Sequence, residues 1–197
     1  MELLIEAFLL GLVGGAVPGP ILTGTFTEIL SDGFIKGCRV IIWALIAETI
    51  GAIIALYVLY TLGLSKIVIQ IISIGGALVL FWLASSVWRI REINIEAKQI
   101  LSFPKIILLT ALNSGYWIFW ITVGIPKALS LDQILTDGKF LFLFFFELAW
   151  LIITFVLAFI FFKFRPLLQR KNLVGVTFKV LASVLILLGI KTLIGVF

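Results

Sequence analysis

Polar residues are sparse along this chain, and where they fall divides it into long apolar runs. The first run covers Leu3 to Leu30. As one straight helix it would be about 42 Å long at ~1.5 Å per residue, more than the ~30 Å hydrocarbon core of a bilayer. Pro18-Gly19-Pro20 interrupts it, which predicts two half-helices meeting at that point. Further runs extend from Gly37 to Leu62, Ile67 to Trp88, Ser102 to Ile125 (where Pro126 is expected to stop the helix), Phe140 to Phe162 and Leu173 to Phe197. Between them lie a charged segment from Arg89 to Lys98, a polar loop with Asp132, Asp137 and Gly138, and a basic loop from Lys163 to Lys171. The runs are apolar on all sides, so their length rather than their period identifies them as spans. The ~10-residue alternating segments of a membrane β-barrel do not occur. The pattern predicts an all-α integral membrane protein with six transmembrane helices, helices 1 and 4 broken, in a single membrane domain over residues 1–197.

Composition removes the soluble alternative. Hydrophobic residues make up 62% of the 197, against roughly 45–50% in soluble domains. Charged residues are 13%, about half the usual share, too few to cover a soluble surface. The net charge of +5 then reads as basic loops that set topology and meet anionic lipid headgroups. The lipid bilayer is the expected partner, and nucleic acid is not. Lys36, Arg39, Arg89, Arg91, Lys98, Lys105, Lys163, Arg165, Arg170 and Lys171 follow the odd-numbered spans. Lys66, Lys127, Lys139 and Lys191 lie on the other side. Ten against four places the first set in the cytoplasm and both termini outside. The short loops point to a prokaryotic plasma membrane. The acidic start, Met1 to Glu6, lacks the basic region of a signal peptide, so the first run is expected to be retained as a span.

Cys38 is the only cysteine, and histidine is absent. An internal disulfide, a Cys/His metal cluster and histidine-based nucleophilic catalysis are thereby excluded. With no nucleotide-binding motif either, no cofactor and no enzymatic activity are expected.

The two halves echo each other. Ala16-Val17-Pro18-Gly19-Pro20 in span one corresponds to Ala111-Leu112-Asn113-Ser114-Gly115 in span four. Ser31-Asp32-Gly33 before span two corresponds to Thr136-Asp137-Gly138 before span five. Glu48 lies inside span two and Glu147 inside span five. With three spans each, repeats at 1–92 and 99–197 would be inverted in the membrane, as in many secondary transporters.

Chemistry is expected where polarity enters hydrocarbon. Pro18, Gly19 and Pro20 free backbone groups that need protein or water partners, so such a break usually lines a cavity. The half-helix after Pro20 offers free N–H groups and a positive dipole end suited to a carboxylate, with Thr23 and Thr25 at hand. A proline kink with close glycine packing is the plainer reading. Asn113-Ser114-Gly115 is the counterpart break, where Asn113 or Ser114 can cap the helix that follows. It can equally be an interhelical hydrogen-bonding pair. Trp117 and Trp120 read as an interfacial belt in preference to a cavity wall. A carboxyl near mid-span costs ~2.5–3.5 kcal/mol on insertion scales, so Glu48 and Glu147 are candidates for proton coupling, and Glu48 also for a substrate ammonium. Alternatively each hydrogen-bonds a neighbouring helix or pairs with Lys179. Glu6 and Glu28 read as interfacial, and Cys38 as inert.

The run from Phe8 to Pro20, glycine-rich and ending in Pro-Gly-Pro, resembles the start of the LysE/RhtB family of amino-acid exporters. Asp32-Gly33-Phe34-Ile35-Lys36-Gly37 is similar to that family's approach to span two. Ala47-Glu48 stands where the family usually has Gly-Asp, and Asn113-Ser114 where it usually has Asn-Pro. The resemblance implies export of an amino acid, or a similar small zwitterion or cation, by a secondary transporter. Pro18, Gly19, Pro20, Thr23, Glu48, Asn113, Ser114 and Gly115 would then form the substrate site. Glu147 has no counterpart in that pattern, and its role rests on its position alone. A divalent-cation carrier and a membrane anchoring or assembly subunit remain open alternatives. So does the oligomeric state, with a homodimer compatible.

Overall fold

The computed structural model describes residues 1–17, 20–61, 66–89, 101–163 and 171–194. The described residues are helical almost throughout. The helices are α1 (Glu2–Ala16), α2 (Pro20–Asp32), α3 (Phe34–Thr61), α4 (Lys66–Trp88), α5 (Phe103–Leu112), α6 (Ser114–Phe119), a π-helical turn (Trp120–Gly124), α7 (Ile125–Asp132), α8 (Gly138–Lys163) and α9 (Lys171–Ile194). Among the described residues, Phe34–Thr61, Gln70–Trp88 and Gly138–Lys163 are each long and apolar enough to cross a membrane. Phe103–Leu112 with Gly115–Asp132, bent by 59°, meets the same test when the two are taken together. Of the predicted loops Arg89 to Lys98 and Lys163 to Lys171, all but Arg89, Lys163 and Lys171 fall outside the described residues.

Both predicted breaks occur. α1 stops at Ala16 because Val17 turns extended (φ −71°, ψ 123°), and α2 begins at Pro20. Pro18 and Gly19 themselves lie outside the described residues. α5 stops at Leu112 because Asn113 leaves helical geometry (φ −78°, ψ 93°).

Pro126 does not stop the fourth span, contrary to the sequence expectation. The helix runs on to Asp132. Proline lacks an N–H and crowds the carbonyl one turn back. The wider π-turn at Trp120–Gly124, just ahead of it, absorbs both defects without ending the helix.

The largest interfaces join α1 to α8 and α4 to α9, while α3 packs on α2, α5 and α8, and α7 on α8. Small residues bring α1 and α8 together. A Cβ on Gly11 would stand 2.9 Å from that of Ala149, and one on Gly15 2.8 Å from the Trp150 carbonyl oxygen. With no hydrophobic force between helices in lipid, such close backbone approach is what holds them. Phe26 of α2 stacks on Phe161 of α8 at 4.4 Å.

Two tight turns follow the second half of each broken span. Gly33 (φ 92°) links α2 to α3, and Asp137 (φ 59°) links α7 to α8. These are the positive-φ residues among the described ones. Gly33 is needed for its backbone alone, since a Cβ there would meet nothing within 4 Å. Asp is one of the few other residues that tolerates this region. Asp132 closes the second turn through a 2.7 Å ion pair with Lys139.

Candidate functional site

The two breaks open into one cavity of about 310 Å³. Gly14, Gly15 and Val17 reach it from the end of α1, and Ile21 and Thr25 from α2. Asn113, Gly115 and Tyr116 reach it from the second break. From α8 come Phe146, Trp150 and Thr154, spaced one helical turn apart. Glu48 of α3 carries the carboxyl of the wall.

Local chemistry fixes the second break. The Asn113 side-chain oxygen accepts a hydrogen bond from the Tyr116 N–H at 3.2 Å, which caps α6. Asn113→Ala removes this cap and is expected to cost about 1 kcal/mol. A fall in the thermal midpoint of the detergent-purified protein would register it, with Asn113→Asp restoring most of the loss. The Tyr116 hydroxyl donates to the backbone carbonyl of Glu48. That bond ties the half-helix to the turn of α3 bearing the acid. On the other side, the Thr154 hydroxyl donates to the Trp150 carbonyl at 2.7 Å and lies 3.5 Å from that of Gly15, beside the first break.

Of the residues singled out in the sequence, Thr25, Glu48, Asn113, Gly115 and Trp120 line the cavity together. Glu147 is buried and is not among the lining residues. Both its carboxyl oxygens lack a well-formed hydrogen bond, although Thr49 of α3 faces them. Glu48 and Tyr116 are within electrostatic reach of it, so the acids of spans two and five belong to one neighbourhood. Pro18 and Gly19, and the side chains of Pro20, Thr23 and Ser114, lie outside the described structure.

Several expectations change. Trp120 is not a belt residue: it is buried, lines the cavity and packs on Phe146 at 4.9 Å, because the π-turn rotates it inwards. Trp117 stays half-buried and donates from its indole to the Ala111 carbonyl at 2.8 Å. Lys179 lies over the Trp88 ring at 5.6 Å rather than beside either mid-span glutamate. Glu6 and Glu28, at the ends of their helices, are buried in ion pairs. Glu6 is 2.6 Å from Lys127 and 2.7 Å from Lys191. Glu28 accepts from the Leu101 N–H at 2.8 Å and is 3.5 Å from Arg39, whose guanidinium covers Trp43. Glu6 is thus tied to the far end of span four and Glu28 to its start. Spans one and four therefore run antiparallel.

Nothing in the apolar pattern singled out Tyr116, Phe146 or Trp150. Thr154 carried a signal, since it follows Glu147 by two turns in an otherwise apolar run.

A bundle of apolar helices in which two helix breaks and a carboxyl converge on one cavity has the build of a secondary transporter. The chain belongs to the LysE type translocator family, whose model it matches over residues 12–195. Members of this family are transporters, and the chain is accordingly a membrane exporter of amino acids or similar solutes. No curated protein and no solved structure gives a significant match.

Proposed function

We propose that this protein is a proton-coupled secondary transporter that exports an amino acid across the plasma membrane, with both termini outside. The observation that carries this reading is Glu48, which lines the cavity where the two helix breaks meet. The substrate carboxylate lies at the breaks, Pro18-Gly19-Pro20 with Thr23 and Asn113-Ser114-Gly115, where the helix that follows each break offers its positive end. Glu48 receives the ammonium group or a proton. Burial disfavours the charged form of a carboxyl, so a cation or a proton must accompany it. Glu147, close to Glu48 and without a well-formed hydrogen bond, takes up the proton when the substrate occupies Glu48.

Six spans arranged as inverted repeats (1–92 and 99–197) supply the moving parts. Several features support this: the antiparallel course of spans one and four, the positive-φ turns at Gly33 and Asp137, and the pairing of α2 with α3 and of α7 with α8. One repeat rocks against the other to expose the site alternately to each side. A divalent-cation carrier would gather several carboxylates, and among the described residues no three His, Cys, Asp or Glu side chains form such a group.

Counterflow in proteoliposomes tests the reading, with a panel of amino acids and wild type beside Glu48→Gln. Uptake of one amino acid by wild type, reduced at least about 100-fold in well-folded Glu48→Gln, is the expected outcome. Unchanged uptake in the variant would remove Glu48 from the mechanism.

A further inference from the structure

Resting on the transport reading above, the composition of the cavity wall narrows the substrate. We propose that the side chain of the transported amino acid is bulky, apolar and uncharged, either branched aliphatic or aromatic. Among the described residues lining the cavity, Glu48 alone carries a carboxyl, and no Lys, Arg or Asp is present. An α-amino acid brings one ammonium and one carboxylate. Glu48 answers the first and the backbone at the breaks the second, which leaves no charged partner for an ionised side chain.

The remaining wall determines what fits there. Phe119, Trp120, Phe146 and Trp150 form an aromatic side, with ring centroids 5.6 Å apart for Phe119 and Phe146 and 4.9 Å for Trp120 and Phe146. Leu10 and Leu185 extend the apolar surface. An apolar side chain leaves water on entering such a space and gains by doing so. An ionised one would give up its hydration with nothing to replace it. Small polar side chains gain little from these walls and leave part of the cavity unfilled.

Among the described residues of the wall, Tyr116, Thr25 and Thr154 carry the hydroxyls, and each is engaged with the protein. Tyr116 donates to the Glu48 carbonyl, Thr25 to Ile21 at 2.9 Å, and Thr154 to Trp150. None of these three hydroxyls has a proton left to offer a polar side chain. Glu147, the nearby second acid, is not in the wall, which argues against a second ammonium group on the substrate.

The test is counterflow with wild-type proteoliposomes, offering leucine, isoleucine, methionine and phenylalanine against lysine, arginine, aspartate and serine. Thermal stabilisation of the detergent-purified protein by each compound is measured in parallel. The expected result is exchange of at least one apolar amino acid at least about tenfold faster than any charged or small polar one, with the same compound giving the largest stabilisation. If lysine, arginine, aspartate or serine exchanges as fast or faster, the proposal is overturned and amino-acid transport stands. If no amino acid exchanges or stabilises, the transport reading falls and this proposal with it.

Discussion

Glu6→Leu is expected to destabilise the protein by about 3–5 kcal/mol, and Glu6→Leu with Lys127→Met to recover most of that loss. The Glu6 side chain is 5% exposed and the Lys127 side chain 12%, with 2.6 Å between the charged groups. Removing the acid leaves the lysine ammonium buried without its counter-ion, which is the costly step. Lys191 loses less, because it keeps Glu2 at 2.7 Å and is 41% exposed. Replacing both members of the inner pair by apolar side chains of similar size leaves no uncompensated charge, and such exchanges are often neutral or stabilising. The thermal midpoint in detergent reports the double-mutant cycle. A single substitution that costs no more than an exposed pair, up to about 1 kcal/mol, would mean that water reaches the site. This clasp joins the start of span one to the end of span four, and the Glu28 site joins the opposite ends. A rocking transporter has to loosen one while the other holds. The double variant therefore tests more than stability: faster counterflow in a well-folded protein would indicate that the clasp limits the rate.

Gly15→Leu is expected to be strongly damaging. The Gly15 Cα faces the Trp150 carbonyl and the Thr154 hydroxyl of α8. Even the first carbon of a side chain would come within 2.8 Å and 2.9 Å of them. Those neighbours are a backbone atom and a hydroxyl held by its own hydrogen bond, so neither can give way. α1 must then move off α8, and overpacking of this kind costs roughly 1–3 kcal/mol or more. The end of α1 forms one lip of the cavity, so substrate exchange is lost as well. Gly14→Ala is the control. Its nearest neighbour, a carbon of the Phe146 ring, would lie at 3.5 Å, an ordinary contact. A small monodisperse peak on size exclusion for Gly15→Leu, beside a normal one for Gly14→Ala, is the expected pattern. Equal yields would show that α1 can shift freely on α8.

The sequence by itself determined the class of protein, the ends of most helices, both breaks and the two mid-span acids. Hydrocarbon imposes those features one residue at a time. Every backbone group needs an internal partner, every charge is penalised, and proline or asparagine marks where a helix must open. Glu48 and Asn113 were legible for that reason, as sparse polar residues in apolar runs. Only the tertiary structure decided which faces meet. Helices that are apolar all round carry no periodic signal of an inner side, so nothing in the local pattern turned Trp120, Phe146 and Trp150 towards the cavity. The partner of Glu6 is 121 positions away, and an acid near a span end reads the same whether it meets water or a lysine. Pro126 was misread because the remedy for a helix-interior proline, a π-turn one turn earlier, packs against α4, far away in the chain, and is not legible in the residues of the turn alone.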